Sequence, residues 1–371
     1  MIARLVRRER WVAYLAFRAF RAFRAFGAFG AFGTLALLAT SALAEVRLPP
    51  GFVKEVYVTG QGFATGRGSR GIPATSTLVF DRSGSLFLAR TGARYQNSET
   101  DDLTPVYRVP PGGGRLTPET ESRYLYGPPL RNAQAGAVRA GLELFVTTFD
   151  RDRRLGVVYR VIDGRAELFA GGTPPREAPP LLRQPEGVAV DSAGRLYVAD
   201  RESGRVLLLD PAGRVLDPRY VVVQRPRVLA TDATDALWVG ADGNAEAPWQ
   251  QGPGEIWRVP RDGTPALLLR GPMPAAIAAS AGGHLLVADR QGSELFALTP
   301  EGQRVPFLTY TQGDAPRGLA FAPDTPETRR AGIAGDLFVA TINVGAWPVN
   351  EIVRISGPFD ELIRQRAAAS P

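Results

Sequence analysis

Six residues occupy equivalent positions in six similar segments of the chain, and three of them are charged. Glu186 offers a carboxylate, while Arg227 and Arg317 offer guanidinium groups. A guanidinium binds a carboxylate or a phosphate through two parallel hydrogen bonds, so two of them at one site predict a site for an anionic group. The alternative is that Glu186 pairs with one arginine and the set holds no ligand. The six positions are Ser76, Gln134, Glu186, Arg227, Ala275 and Arg317.

The remaining composition leaves few residues for catalysis. The 371-residue chain has no cysteine, which excludes thiol catalysis and disulfide bonds, and its single histidine excludes a metal site built from several histidines. That histidine, His284, follows Gly282-Gly283 in a turn at the opposite end of the repeat from the six positions above. A serine–histidine–acid triad needs its base beside the nucleophile. We therefore expect His284 to be a surface turn residue.

The six segments are repeats with a period of about fifty residues. Each contains a run similar to Leu-aromatic-Val-Ala, preceded by a short apolar run and followed by a third and often a fourth. These runs are short, rich in β-branched and aromatic residues, and bounded by Gly, Pro and Asp, which is typical of β-strands. Four antiparallel strands in each of six repeats predict an all-β, six-bladed β-propeller. The central runs are Leu86–Ala89, Leu144–Thr147, Leu196–Ala199, Leu237–Gly240, Leu285–Ala288 and Leu337–Ala340.

The ends of the repeat region predict how the ring closes. The last repeat lacks a fourth strand, because Gly357-Pro358 follows its third run and residues 359–369 have the pattern of a short polar helix. Near the other end, Phe52–Val58 is a strand that belongs to no repeat. We expect this strand to complete the sixth blade, which otherwise exposes a sheet edge. The propeller then spans residues 45–356, and a C-terminal tail with the helix spans residues 357–371.

Residues 1–44 have the pattern of a secretory signal peptide. An arginine-rich segment is followed by an uncharged stretch from Ala25, and Ala42-Leu43-Ala44 forms a small-residue cleavage site before Glu45. This pattern predicts export from a bacterial cytoplasm to the periplasm or the medium. If the segment is not cleaved, the uncharged stretch is long enough to anchor the protein in the inner membrane.

The signal segment also accounts for most of the basic charge. The whole chain has 44 Lys+Arg against 37 Asp+Glu, a formal net charge of +7. Residues 45–371 alone have 37 basic and 36 acidic residues, a net charge of +1. A nearly neutral propeller is not expected to bind nucleic acid, nor to associate stably with a membrane once the signal is cleaved.

The third repeat closely resembles an NHL repeat, in the residues Pro185–Asp200 followed by Gly204-Arg205-Val206. The same pattern is found in the SMP-30/gluconolactonase-like propellers, and residues 316–321 with 335–340 repeat it in the last unit. The resemblance extends more loosely over residues 52–356. It implies a six-bladed β-propeller, a fold that carries unrelated activities.

The same resemblance implies a divalent-metal-dependent hydrolase acting on a lactone or a related ester. In gluconolactonase-like enzymes, acidic and Asn residues from several blades are expected to hold one cation at the entrance to the inner strands. In this chain the six equivalent positions lie at that entrance. Of their residues, only Glu186 and Gln134 offer oxygen ligands, and the two arginines repel a cation. The loop with Asp242, Asn244 and Glu246 is a second candidate site for a cation such as calcium. Alternatively, this loop is a solvated turn that binds no ion.

Aromatic residues occur in the longest loops between second and third strands, on the same face as the inner-strand entrance. They are Tyr95, Trp249 and Trp347, in units one, four and six. Together they could form a shelf for a sugar or a peptide. Alternatively, each packs onto its own loop.

Two functions are therefore open on the sequence alone. The first is an exported binding module without catalysis, which takes a small anionic or sugar-like ligand, a peptide or a protein at the mouth of the propeller channel. It requires no cofactor. The second is the lactonase or ester hydrolase, which requires a divalent cation.

Overall fold

The repeats fold into the blades of a six-bladed β-propeller, as their spacing predicts. The computed structural model describes residues 48–60, 77–89, 103–150, 153–175, 178–245, 250–310, 314–343 and 351–369. In blades 1 to 5 the strands are antiparallel neighbours that follow one another along the chain, so that each of these blades is a simple meander. The six blades surround a central channel, with the first strand of each blade innermost.

The strands of the first half of the ring are β1 (Val53–Thr59), β2 (Thr77–Phe80), β3 (Leu86–Ala89), β4 (Leu103–Thr104), β5 (Val106–Val109), β6 (Gly114–Arg115), β7 (Leu130–Arg131), β8 (Ala133–Arg139), β9 (Glu143–Asp150), β10 (Leu155–Ile162), β11 (Arg165–Gly171), β12 (Pro185–Val190), β13 (Leu196–Asp200), β14 (Arg205–Leu209) and β15 (Val215–Val222). Blade 1 is β2-β3-β5, blade 2 is β8 to β11, and blade 3 is β12 to β15.

The second half contains β16 (Pro226–Thr231), β17 (Leu237–Ala241), β18 (Gly254–Val259), β19 (Ala266–Gly271), β20 (Pro274–Ala279), β21 (Leu285–Asp289), β22 (Glu294–Leu298), β23 (Arg304–Thr309), β24 (Asp314–Phe321), β25 (Leu337–Asn343) and β26 (Glu351–Ser356), with helices α1 (Pro326–Arg330) and α2 (Phe359–Ala369). Blade 4 is β16 to β19, blade 5 is β20 to β23, and blade 6 is β24-β25-β26-β1. In blade 6, β1 pairs antiparallel with β26, and the short strand β6 pairs parallel with β1.

The fourth strand of blade 1 departs from the regular pattern. Its place is taken by the segment around Tyr124 and Tyr126, whose backbone hydrogen-bonds to β5 at Arg108 and Val106 over 2.7 and 2.8 Å. An isolated bridge joins Tyr107 to Leu125 at the same edge. The short segment still covers the outer edge of β5.

Successive side chains of the second strands point to opposite faces of each blade, and those on both faces form the hydrophobic core. In β13, Leu196 and Val198 pack between blades 2 and 3, whereas Tyr197 and Ala199 pack between blades 3 and 4. Successive side chains of a strand point to opposite faces, so a strand that is apolar at every position is buried on both sides. The apolar clusters lie between adjacent blades in this way all round the ring.

The N-terminal strand closes the ring as expected. Strand β1 runs antiparallel to β26, with Val53 opposite Ser356 and Thr59 opposite Glu351. The predicted strand Phe52–Val58 and the observed strand therefore differ by one residue at each end. Blade 6 thus combines strands from the two ends of the propeller, and β26 is paired on both edges.

The C-terminal helix forms over the predicted residues and changes the environment of the single histidine. His284 is 7% exposed, and its Nδ1 lies 2.8 Å from Oδ1 of Asp360 in α2. The expectation of a surface turn residue is therefore wrong, because α2 folds back and covers the turn between β20 and β21. Among the described residues, none of the helices is long and apolar enough to cross a bilayer.

Candidate functional site

An irregularity in strand pairing, a β-bulge, near the start of the inner strand positions each entrance residue that the structure describes. In blade 3, Pro185 pairs with Asp200 and Gly187 pairs with Ala199, so Glu186 is the bulged residue. Arg227 in blade 4 and Arg317 in blade 6 occupy the same irregularity, each directly after a proline. A bulge takes one residue out of the ladder and turns its side chain in a new direction. The repeated bulge explains why these residues meet at one end of the channel.

The other entrance positions follow the same rule with different side chains. Blade 5 has Ala275 at the bulge, and blade 2 has Gln134 within a wider irregularity between Ala133 and Gly136. Gln134 is buried, and its Nε2 donates to the carbonyl and side-chain oxygens of Asn132 at 3.0 Å. Ser76, the equivalent position in blade 1, lies outside the described residues.

The predicted pairing of Glu186 with an arginine is present. Nε of Arg227 lies 3.5 Å from Oε2 of Glu186, and Oε1 accepts a hydrogen bond from Nε2 of Gln184 at 2.6 Å. The same arginine reaches a second carboxylate, because its Nη1 donates to Oδ2 of Asp242 at 3.2 Å. Arg227 therefore connects two acidic residues from neighbouring blades.

Asp242 is the centre of the ion pairs at this mouth. Its side chain is fully buried, and Arg201 Nε donates to its Oδ2 at 3.1 Å while Arg290 Nη2 donates to its Oδ1 at 3.4 Å. With Arg227, three guanidiniums contact this one carboxylate. Asp242 is thus neither a solvated turn residue nor an acidic group available to solvent.

Arg201 and Arg290 are the functional candidates that sequence reasoning missed. They directly follow β13 and β21, the position that Asp242 occupies after β17. A signal for them exists, since Val-Ala-Asp-Arg occurs at residues 198–201 and again at residues 287–290. The mouth cluster, as we name this set, comprises Glu186, Arg201, Arg227, Asp242, Arg290 and Arg317.

Arg290 experiences the positive potential of the mouth cluster most clearly. Its side chain is 9% exposed, and burial is the main reason why its pKa falls to about 10. The charges of Arg227 and Arg317 lower the pKa further, against the opposing effects of Asp242 and Glu186. Nη1 of Arg290 is buried, and no described residue accepts a hydrogen bond from it. Arg317, half-buried on blade 6, belongs to the same electrostatic environment.

The described carboxylates of the mouth do not fit a divalent cation. Asp242 contacts three guanidiniums and Glu186 lies within 4 Å of two, so a cation at either carboxylate would meet their positive charges. Within the described part of the chain, no group of three or more acidic or histidine side chains is arranged to hold a metal ion. Of the proposed calcium loop, Asn244 is exposed and Glu246 lies outside the described residues.

The aromatic shelf has no structural description. Tyr95, Trp249 and Trp347 all lie outside the described residues.

Comparison with known proteins identifies the repeat and the fold. Residues 182–207 match the NHL repeat family. This range includes residues 185–206, the segment whose motif resembles an NHL repeat. No curated protein matches the chain in sequence. The chain therefore contains an NHL repeat within a six-bladed β-propeller.

Solved structures share the propeller over most of their length. An aldose sugar dehydrogenase from Streptomyces coelicolor in its PQQ-bound form is 15% identical with a TM-score of 0.54, covering 84% of this chain and 99% of that chain. A gluconolactonase from Xanthomonas campestris is 15% identical with a TM-score of 0.52, covering 79% of this chain and 87% of that chain. At such identities the likeness shows the fold and not the activity.

Proposed function

We propose that this chain is an exported binding module whose propeller mouth holds the anionic group of a small molecule or a peptide. The observation that supports it is the mouth cluster, in which Arg201, Arg227 and Arg290 contact two carboxylates. Arg317 lies close enough for its charge to lower the pKa of Arg290. Guanidiniums fixed by ion pairs and by burial lose little conformational freedom when they bind an anion. Export rests on residues 1–44, and N-terminal sequencing of the secreted protein should begin at Glu45.

The lactonase alternative has less support from this site. It needs carboxylates that can bind a cation, whereas the two carboxylates of the mouth cluster, Glu186 and Asp242, already face arginines. The shared fold with a gluconolactonase does not decide the matter, since one fold hosts unrelated chemistries. Elemental analysis of the purified protein, with an assay on gluconolactone, distinguishes the two proposals. A stoichiometric divalent metal together with turnover would overturn a binding module without catalysis.

The entrance arginines test the proposal directly. We expect Arg227→Ala and Arg317→Ala each to weaken the binding of anionic ligands by about tenfold or more, because a charge-assisted hydrogen bond contributes about 1.5–3 kcal/mol. Isothermal titration calorimetry with a panel of small carboxylates and phosphates measures the effect. Arg219→Ala, on the outer strand β15, is the matched control. Unaltered affinity in both entrance variants would contradict the assignment.

A further inference from the structure

A pocket of about 520 Å³ lies at the end of the blades opposite the mouth cluster. It opens where the first strands of blades 4, 5 and 6 end, beside the start of helix α2. Pockets for small ligands have volumes of about 300–1,000 Å³, so this one is large enough for a small molecule. The basal pocket, as we name it, is lined by residues 231–233, 279–281, 321–324, 334–336 and 357–361.

Two aromatic rings form an apolar wall of the basal pocket. Phe321 and Phe359 both line it, and their ring centroids are 5.2 Å apart in an edge-to-face arrangement. Phe359 is buried, and its ring also packs against that of Phe52, with the centroids 4.9 Å apart. These contacts hold the ring of Phe359 before any ligand binds, so the wall loses little conformational freedom on binding.

The charged side chains that line the basal pocket are all acidic. There are five of them, and no lysine, arginine or histidine lines this described pocket. Three of the five face arginines behind the pocket wall, because Asp232 pairs with Arg258, Asp324 with Arg329 and Asp336 with Arg354. The other two, Asp360 and Glu361, lie in the first turn of α2.

The carboxylates of Asp360 and Glu361 contact no arginine within the described structure. Burial alone would raise the pKa of Asp360, but hydrogen bonds from Ser280, His284 and Gly282 outweigh it and hold the pKa below its ordinary value. Asp360 is therefore ionised at neutral pH. Glu361 has no cationic partner among the described residues, whatever the charge of His284. These two side chains thus place negative charge beside an apolar wall.

We propose that the basal pocket binds a small organic cation, an amine with an apolar body, as a second ligand site of the propeller. The ammonium group lies beside Asp360 and Glu361, and the apolar body lies against Phe321 and Phe359. Hydrogen bonds from an ammonium to a carboxylate are stronger than those between neutral groups. The aromatic wall favours such an amine over a metal ion, which needs oxygen ligands or water around it. This site is independent of the anion site proposed for the mouth cluster.

Isothermal titration calorimetry at pH 7 and fixed ionic strength tests the charge requirement. Benzylamine is the cationic probe, and benzyl alcohol is its neutral analogue of similar size. We expect benzylamine to bind at least tenfold more tightly, the effect of a charge-assisted hydrogen bond. Calcium should not displace it. Equal affinities for the two probes, displacement by calcium, or no binding of benzylamine at millimolar concentration would overturn the basal amine site. None of these results bears on anion binding at the mouth.

Substitutions in the basal pocket show whether benzylamine binds there. Glu361→Gln should lower benzylamine affinity by about tenfold, because it removes a charge and keeps the size of the side chain. Ala233→Trp should also lower it, since an indole at this exposed turn of blade 4 fills part of the pocket. Glu301→Gln is the matched control, an exposed carboxylate outside the pocket in the turn between β22 and β23. Thermal unfolding verifies that each variant folds. Unchanged benzylamine affinity in both pocket variants would refute the assignment.

Discussion

Arginine has two roles in this propeller, distinguished by what each guanidinium contacts. On a third strand, Arg258 lies 3.3 Å from Asp232 and 5.4 Å from the ring centroid of Trp238. Arg108 and Arg354 pair in the same way with turn carboxylates of their own blades. These arginines occupy equivalent positions on third strands, and the repeated pairs give them a structural role. At the mouth the arrangement differs, because three guanidiniums contact the one buried carboxylate of Asp242.

The turn carboxylate Asp232 allows a test of the structural role at the scale of one residue. Its Oδ1 accepts the backbone N–H groups of Thr234 and Ala236 at 2.9 and 3.0 Å, and its Oδ2 accepts from Trp238 Nε1 at 3.0 Å. Asp232→Asn replaces one acceptor by a donor, so the free energy of unfolding should fall by about 1–3 kcal/mol. Denaturant titration measures this, with the exposed Asp262→Asn as control.

The effect of Asp232→Asn on the free energy of unfolding should depend on pH. Burial alone would raise the pKa of Asp232, but the hydrogen bonds from Thr234, Ala236 and Trp238 outweigh it and hold the pKa below its ordinary value. Because the pKa of Asp232 is lower in the folded than in the unfolded state, its ionised carboxylate stabilises the fold at pH values above the unfolded-state pKa of about 3.9. This contribution is lost as the pH falls through the folded-state pKa. The stability difference between wild type and Asp232→Asn should therefore be full at pH 7 and shrink below pH 4. A constant difference would contradict this ionic role.

At the scale of elements, the first turn of helix α2 is attached to blade 5 through the carboxylate of Asp360, and its last turn through Gln303, which donates to the carbonyl of Ala367 at 2.8 Å. Asp360 accepts from Ser280 Oγ at 2.5 Å and from the backbone N–H of Gly282 at 2.9 Å, and it contacts the ring of His284. A Cβ at Gly282 would lie 2.5 Å from Cγ of Asp360, so the close approach requires glycine. Phe359 adds an apolar contact with Phe52. The tail is therefore a docked part of the propeller.

Removing this carboxylate should loosen the helix without unfolding the ring. In Asp360→Ala, we expect backbone amides of residues 362–367 to exchange hydrogen faster, because the polar attachment of the first helical turn is lost while the blades keep their cores. Amides of blade 3, remote from the helix, should exchange as in the wild type. Glu361→Ala, at an exposed position of the same helical turn, is the control. Equal protection of α2 in both variants would show that Asp360 does not hold the helix.

Local patterns predicted the blades and the entrance residues but not the contacts between distant segments. The alternation in Leu196–Ala199 is enough to assign both faces of a strand, and alignment of the repeats placed Glu186 and Arg227 at one end of the channel. Arg290 was missed because the direction of a side chain after a strand depends on the loop and on its neighbours. The His284–Asp360 contact spans 76 residues and joins a repeat to a helix outside it. No periodicity encodes such a contact.

At the scale of the molecule, stability depends on closing the ring. Each apolar cluster needs two adjacent blades, so a gap between blades 6 and 1 would expose one cluster fully. Strand β1 prevents this gap, and Tyr57 and Val58 are buried in that cluster. A second attachment lies at the other end of the blades, where Oγ1 of Thr325 donates to the carbonyl of Arg82 at 2.9 Å.

Deleting β1 is the strongest test of this closure. A chain that begins after Gly60 loses the pairing with β26 and the buried side chains of Phe52, Tyr57 and Val58. At about 1.5–3 kcal/mol for each buried side chain, the loss reaches about 5 kcal/mol or more, which is comparable to the whole stability of many domains. We expect a large drop in the denaturation midpoint, with aggregation through the exposed edge of β26.

A chain that begins at Leu48 keeps β1 and serves as the matched control, so any effect of shortening the N-terminus itself is removed. Val58→Asp provides a second variant, because it places a charge in the cluster between blades 6 and 1 while leaving the backbone pairing possible. If closure stabilises the ring through both pairing and burial, the point variant should unfold between the control and the deleted chain. Equal midpoints for all three would mean that blades 6 and 1 hold together without β1.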